Sequence, residues 1–471
     1  MRPRSSNSGR DGRTGCTTAF ASSPRRAASS GSSRSSALVK KLLADTTPLR
    51  TPDFRRLWLA GIVTVIGANL TIFAVPVQLY ALTQNSAYVG LAGIFALVPL
   101  VLFGLLGGAW ADAMDRRLLL IIASCGLAVA SVLLWLQAAL ELNNVWVVLC
   151  LLSVQQSFFA INQPTRSAAI PRMLPGEQLP AANSLNMTVM QFGAIVGPLL
   201  AGVLLRWVDL STLYLIDAIT CTAPIVATFR LAPMPALAAE KGANRWGFAA
   251  VLDGFRYLAG HHVVLMSFVV DLIAMILGMP RALFPQMAHE SFGGPVEGGT
   301  TMALLAAAMS VGAVSGGVFS GWLPRIRRQG LAVVWAIVAW GLAMVGFGLA
   351  AGFAGGHTGV LLWIAVTFLA IGGAADMVSA AFRSTILQQV ASDEVRGRLQ
   401  GVFTVVVGGG PRLADALHGG AAAVVGTTIA AAGGGALVVV GVMIAALVVP
   451  AFVRYRVAAN DKANDSADDA V

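Results

Sequence analysis

Residues 104–117 read Gly-Leu-Leu-Gly-Gly-Ala-Trp-Ala-Asp-Ala-Met-Asp-Arg-Arg, and they close an uncharged run that begins at Leu57. That run is long enough for two membrane-spanning helices, because about 20 apolar residues cross a bilayer. Small residues give the second helix a bare face on which another backbone can pack closely; they are Gly104, Gly107, Gly108, Ala109 and Ala111. Charged residues follow where the chain is predicted to turn in water; they are Asp112, Asp115, Arg116 and Arg117.

Long uncharged segments recur through the rest of the chain. Of its 471 residues, 56% are hydrophobic and 11% are charged, which excludes an ordinary soluble protein. Further uncharged runs cover 118–140, 142–165, 178–205 and 298–324, and the run 329–375 is long enough for two spans. No segment shows the short alternation of a membrane β-barrel. The sequence therefore predicts an all-α polytopic membrane protein.

The net charge of +10 follows this topology rather than indicating a nucleic-acid partner. Arginine and lysine concentrate before the first span and in every second connection, whereas the alternate connections hold few besides Arg206. By the positive-inside rule, both termini and the basic connections are expected to be cytoplasmic. An even number of spans follows, and we count twelve. The four cysteines show no metal-ligand spacing, and neither a metal nor a cofactor is expected.

A weak internal repeat divides the chain into two similar halves. A shift of 217 positions aligns Arg166 with Arg383 and Glu177 with Glu394. We predict a disordered cytoplasmic tail (1–50), two six-helix halves (51–232 and 263–455), and a short second tail (456–471). Residues 233–262 are predicted to link the halves through an amphipathic helix on the membrane surface, or as a plain tether. The repeat also predicts paired cytoplasmic loops; their residues are Arg166, Glu177, Arg383, Glu394, Arg396 and Arg398.

Polar side chains inside the predicted spans are candidates for a substrate cavity. Such groups face the bundle interior rather than lipid, where they bind a ligand or join helices by hydrogen bonds. Both interpretations remain open. The candidates are Asn69, Gln78, Gln155, Gln156 and Asn162, together with Arg412, which either forms a local ion pair with Asp415 or anchors an anionic substrate.

Several motifs resemble those of the major facilitator superfamily. The stretch 104–117 is similar to that family's loop between helices 2 and 3, which steadies the conformational switch; the matching residues are Gly104, Gly108, Asp112, Arg116 and Arg117. Residues 193–202 resemble the family's antiporter motif, typical of exporters; the matching residues are Gly193, Gly197, Pro198 and Gly202. The stretches 75–83, 278–285 and 395–403 look like the branch of enterobactin exporters and macrolide-efflux-like permeases. The resemblance implies twelve helices and proton-driven export.

Acidic residues inside spans are the candidates for proton coupling. Each costs about 2.5–3.5 kcal/mol on insertion scales and therefore needs a function or a partner. The candidates are Asp217, Asp271 and Asp376. For Asp217 we favour a permanent structural pairing. Asp376 lies two helical turns from Arg383 on one face, so a salt bridge there would compete with protonation.

The expected function is export of a siderophore or an amphipathic drug-like compound by proton antiport with alternating access. The expected partners are a small organic substrate, protons and the lipid bilayer, with no nucleic acid, and the protein is expected to be a monomer. Multidrug or macrolide efflux is the main alternative. A lipid-modifying enzyme is disfavoured because no catalytic cluster is evident, and a non-transporting protein because no large soluble domain is present. No phosphate-binding loop of an ATP-driven pump occurs in the sequence.

Overall fold

A computed structural model describes residues 45–235, 256, 260, 262–390 and 393–456. Within these segments, some side chains lie outside the described set; they are those of Leu105, Gly108, Ala109, Ala111, Asp112, His262 and Pro324, and of residues 388–390 and 393–405. The described elements are helical throughout. The first six long helices are α1 (Pro52–Thr83), α2 (Ser86–Ala113), α3 (Arg116–Ala139), α4 (Val145–Met173), α5 (Leu179–Leu204) and α6 (Leu210–Phe229). The other six are α7 (His262–Gly278), α8 (Thr300–Val318), α9 (Gln329–Phe353), α10 (Val360–Val390), α11 (Asp393–Val425) and α12 (Thr427–Val448).

Eleven of these helices, within the described residues, are long and apolar enough to cross a membrane. The twelfth, α11, carries many glycines together with Arg412, Asp415 and His418, which lower its hydropathy. It nevertheless packs along α2, α7 and α12 inside the bundle. The predicted all-α architecture of twelve spans is confirmed.

Two helix pairs carry most of the contact between the halves: α2 packs on α11, and α5 packs on α8. Glycines make the first of these contacts possible. A Cβ atom added to Gly93 would collide with the backbone oxygen of Arg412, and one added to Gly90 would lie 2.6 Å from the backbone oxygen of Asp415. The bare face of α2 therefore sets the position of the charged stretch of α11.

The bundle has two unlike ends. We call the end that holds the α2–α3, α4–α5 and α8–α9 connections the basic end, since it carries Arg117, Arg172 and Arg328. At the other end, the halves are joined by hydrogen bonds in a group that we call the end seal, formed by Tyr80, Ser86, Gln286 and Glu290. The Tyr80 hydroxyl donates to Glu290 Oε1 at 2.8 Å, and the Ser86 hydroxyl donates to Gln286 Oε1 at 2.6 Å.

Gln286 and Glu290 of the end seal lie just after a break in the seventh span. Helix α7 stops at Gly278 before Pro280, and a 3₁₀ turn (Arg281–Leu283) and a π-helical turn (Met287–Ser291) continue the chain. Proline lacks an N–H group, so the break frees a backbone carbonyl. The indole N–H of Trp340 satisfies the Gly278 carbonyl at 3.0 Å. Two prolines, Pro280 and Pro285, mark this break in the sequence.

Two of the predicted loop residues are not in loops. Arg166 lies within α4 and Arg383 within α10, because both helices continue past the apolar runs that suggested their ends. Glu177 is exposed in a connection, as predicted, whereas the side chains of Glu394, Arg396 and Arg398 lie outside the described set. Almost all of the predicted tails (1–50 and 456–471) and most of the linker (233–262) also lie outside the described residues.

Candidate functional site

A cavity of about 400 Å³ lies between the halves. Helices α1, α2, α4 and α5 line it from the first half, and α8, α10, α11 and the broken end of α7 line it from the second. This volume falls within the range of small-molecule sites.

The two halves contribute different chemistry to the cavity. The first half supplies uncharged amides, which are Asn69, Gln155, Gln156 and Gln191. The second half supplies all four charged side chains of the lining, which are Arg281, Asp376, Arg412 and Asp415. Aromatic and thioether groups fill the space between them, including Phe73, Phe284, Met302 and Met309. A ligand with apolar, polar and charged parts would match these surfaces.

Next to the cavity, Asp271, Asp376 and Arg383 form a charge network between α7 and α10. The Arg383 guanidinium makes a salt bridge with Asp271, which is 1% exposed. A second Arg383 nitrogen lies 3.9 Å from Asp376 Oδ1, and its Nε donates to Ser379 at 3.2 Å. Asp376 lines the cavity, whereas Asp271 does not. One arginine therefore faces two carboxylates, of which one is enclosed and the other is open to the cavity.

The equivalent arginine of the first half, Arg166, has no such carboxylate beside it among the described residues. Arg166 lies against α1, where its guanidinium approaches Gly61 and donates to the Leu57 carbonyl at 3.5 Å. A backbone carbonyl and a glycine therefore take the place that Asp271 has in the second half. Among the described residues, only the arginine of the second half, Arg383, therefore has carboxylate partners within this pair.

Asp217 forms a separate buried cluster within the first half. Its Oδ2 accepts hydrogen bonds from Thr71 at 2.7 Å and from Ser131 at 2.8 Å, and Gln155 lies 3.4 Å away. The Cys221 thiol approaches the other oxygen at 3.8 Å. Asp217 is 1% exposed and joins α1, α3, α4 and α6, an arrangement suited to holding helices together.

A second charge group lines the cavity from α11 and from the 3₁₀ turn after α7. Arg281, on the 3₁₀ turn after α7, lies 3.5 Å from Asp415 Oδ2 of α11. The sequence left open whether Arg412 pairs with Asp415 or anchors an anionic substrate. In the structure the salt-bridge contact of Asp415 is with Arg281, while Arg412 interacts with the Asp415 charge at longer range. The cost of an acidic residue inside a span indicates Asp217, Asp271 and Asp376 but does not indicate Arg281. The same test applied to arginines identifies it.

The loop between α2 and α3 connects several helices of the first half. Asp115 caps α3, accepting from Arg117 N at 2.8 Å and from Met234 N at 3.2 Å. Arg116 donates to the Ala168 carbonyl at 3.0 Å, and Arg117 donates to the Phe229 carbonyl at 2.7 Å. The contacts described here thus join α3 to α4, to the end of α6 and to the start of the linker.

The glycines of this loop motif differ in their surroundings. Gly107 packs on Ile161 of α4, whereas a Cβ atom added to Gly104 would meet no atom within 4 Å. Gly108 lies in α2, but its surroundings lie outside the described set.

The glycines of α5 face two different helices. Gly193 and Gly197 pack against Val65 and Asn69 of α1, whereas Gly202 packs against Ala303 of α8 in the other half. Pro198, between them, lines the cavity. The motif therefore places the helix backbone at the cavity and at the contact between halves.

Four of the six predicted cavity residues line the cavity: Asn69, Gln155, Gln156 and Arg412. Gln78 instead exchanges two hydrogen bonds with Gln137 and accepts one from Tyr214 at 2.8 Å, in a buried group. Asn162 reaches Ser124 at 3.4 Å. These two amides join helices, which was the other interpretation of the sequence.

Comparison with known proteins identifies the family. The profile described as "transmembrane secretion effector" matches residues 44–468, nearly the whole described chain. The chain belongs to the major facilitator superfamily. Within it, the chain falls in the branch of the enterobactin exporters, and it is a transporter with multiple spans in the cytoplasmic membrane.

Individual relatives agree with this assignment. The chain is 26% identical over 371 residues to the enterobactin exporter EntS of Shigella boydii serotype 18, covering 78% of this chain and 85% of that protein. It is 26% identical over 374 residues to EntS of Citrobacter koseri, with the same coverage of both chains. The crystal structure of the nucleoside transporter NupG superposes with a TM-score of 0.65 at 15% identity, covering 85% of this chain and 98% of NupG. That likeness concerns the fold.

Proposed function

We propose that this protein exports a small organic molecule, a siderophore or an amphipathic drug-like compound, by proton antiport with alternating access. The observation that carries the proposal is the cavity between the halves, with the carboxylate of Asp376 in its wall and that of Asp271 behind it. The family supports transport, and the relatives named as enterobactin exporters support a siderophore. The mix of amide and aromatic lining equally fits a drug-like compound, which keeps multidrug or macrolide efflux as the second candidate.

Proton coupling is assigned to the network around Arg383. A single arginine stabilises one ionised carboxylate more readily than two, so the second carboxylate can take up a proton. Asp376 is the one open to the cavity, and Asp271 holds Arg383 in place. In the proposed cycle, protonation of Asp376 and binding of substrate alternate because both depend on the same charged wall. Asp217 has a structural role.

Alternating access is proposed to act by rocking of the halves about α2–α11 and α5–α8. The end seal closes one end of the cavity here, through the hydrogen bonds from Tyr80 and Ser86. With the basic end on the cytoplasmic side, as the positive-inside rule favours, this is an inward-facing state. Opening of the end seal would then release substrate outside. Both termini are placed in the cytoplasm, and the working unit is taken to be a monomer.

Uptake into inside-out membrane vesicles tests the proposed function. Vesicles with an acidic lumen should accumulate radiolabelled enterobactin, or a labelled macrolide if that alternative holds, because protons leaving the lumen drive substrate inward. Vesicles from cells lacking the protein are the control. Accumulation equal to that control for both compounds, with and without the gradient, would contradict the proposal for these two classes of substrate.

A further inference from the structure

We infer that the cavity contains an anion-binding subsite formed by Arg412 and Arg281, so that the transported molecule carries an anionic group. The inference rests on the proposed function, because it names the class of substrate for the same cavity. It starts from the charged residues of the cavity lining other than Asp376, which are Arg281, Arg412 and Asp415.

Arg412 lines the cavity and, among the described residues, makes no salt bridge within 4.0 Å and no side-chain hydrogen bond, although the Asp415 carboxylate is near enough to interact with its charge. Its neighbour Asp415, three residues further along α11, is engaged with Arg281 at 3.5 Å. Arg281 is itself only partly satisfied, since its Nε is buried without a hydrogen-bond partner. A guanidinium away from bulk water is unfavourable until an anion or dipole faces it, and it offers five N–H donors.

The local balance of charges also favours binding of an anion at this subsite. Arg281 and Arg412 carry two positive charges, and Asp415 offsets one of them, so this wall has one positive charge in excess. The network around Arg383 has the opposite excess, since Asp271 and Asp376 face one arginine. The cavity therefore has a positive and a negative pole. An anionic group is attracted to the first pole and repelled by the second, which fixes how a substrate is oriented.

The position of this subsite is set by rigid packing. Gly93 of α2 lies against the backbone of Arg412 so closely that no side chain fits there. On the other helix, the 3₁₀ turn after Pro280 places Arg281 beside Asp415. Both arginines are thus held on broken or tightly packed backbone rather than on a surface loop. Guanidinium groups held in this way suit recognition of a carboxylate or a comparable anion.

Asp415 acts as an internal competitor in this arrangement. One of its oxygens is buried with no hydrogen bond, and the other is 3.5 Å from Arg281. An entering anion would take over donors of Arg281 that now face Asp415. Neutralising Asp415 should therefore strengthen anion binding, whereas a residue with a merely structural role would weaken it or leave it unchanged.

Binding of a matched pair of probes to the purified full-length protein tests the inference. The probes are 2-naphthoate and its neutral isostere 2-naphthamide, titrated by calorimetry. We expect naphthoate to bind about tenfold more tightly than naphthamide, since charge-assisted hydrogen bonds are roughly twice as strong as neutral ones. Arg412→Gln should abolish the preference and Arg412→Lys should keep part of it. Asp415→Asn should increase naphthoate affinity severalfold.

Arg206→Gln is the matched control, because it removes the same charge from an exposed arginine that does not line the cavity. Size-exclusion chromatography confirms that each variant is folded. Equal binding of the two probes, absence of saturable naphthoate binding, or a weaker naphthoate complex in Asp415→Asn would each overturn the inference. Transport driven by a pH gradient in the vesicle assay would persist in that case, which separates this failure from failure of the proposed function.

Discussion

Loss of the Tyr80 hydroxyl should open the end seal. In the structure this hydroxyl donates to Glu290 Oε1 at 2.8 Å, and Gln286 Nε2 also donates to Glu290 at 3.0 Å. Tyr80→Phe removes one of these donors without changing the packing of the ring. Hydrogen bonds to a charged acceptor contribute about 1.5–3 kcal/mol. Glu290 is exposed, so the lower figure of about 1.5 kcal/mol applies.

That free energy determines how much the population of the open state changes. Since about 1.4 kcal/mol is a factor of ten, Tyr80→Phe should raise the open fraction at this end about tenfold, provided that the open state is minor. The Tyr80 hydroxyl must be free of Glu290 in the open state for the full factor to be observed. The same reasoning predicts a similar effect for Glu290→Gln, whose amide is a weaker acceptor than the carboxylate.

The assay is labelling of a cysteine at Ala92, which lines the cavity and is 8% exposed. A membrane-impermeant maleimide is added to intact cells that carry the protein with its four native cysteines replaced by alanine. The initial labelling rate should rise about tenfold with Tyr80→Phe, in proportion to the open fraction. Tyr88→Phe is the matched control, because Tyr88 lies at the same end of the bundle and no side-chain hydrogen bond joins it to a described residue. A rate within twofold of both the unmodified protein and this control would refute the reasoning.

Two further variants test the packing and the charge network. Gly93→Ala should lower the free energy of unfolding of the detergent-solubilised protein by about 1–3 kcal/mol, because the new methyl group meets the Arg412 backbone. Gly104→Ala is the control and should not lower it, because the space around Gly104 is open. Equal melting temperatures of the two variants would contradict the packing of Gly93 on Arg412. Asp271→Asn should cost about 3–5 kcal/mol by leaving Arg383 without its closest partner, and the double variant with Arg383→Gln should recover much of that loss. Additive losses in the double variant, measured by thermal unfolding, would count against the pairing.

The architecture was predictable because it depends on local hydropathy. The run from Leu57 to Ala111 is long enough for two spans, and the basic residues in alternate connections indicated their orientation. Helix ends were less predictable. The cost of charge in lipid predicts loops at Arg166 and Arg383, but each side chain contacts a partner inside the bundle, which removes most of that cost.

The pairings within the site depended on tertiary packing. Asp271 and Arg383 were each conspicuous in the sequence, yet only the contact of α7 with α10 brings them together. The salt bridge between Arg281, on the 3₁₀ turn after α7, and Asp415 of α11 joins residues that are far apart in the sequence, so local spacing does not indicate it. The end seal was also missed, since Glu290 follows a broken helix and nothing in its local sequence indicates Tyr80 as its donor.

The central claim, coupling of substrate export to proton movement through Asp376, is tested most directly by measuring pH inside proteoliposomes that contain the purified protein. With equal pH on both sides, adding the transported siderophore or macrolide outside should make the lumen more alkaline, because protons leave as substrate enters. Asp376→Asn should abolish this change, while Asp217→Asn, in the structural cluster of the first half, should retain it in folded protein. Substrate entry with no change in lumenal pH, or a full change in the Asp376→Asn protein, would contradict the account.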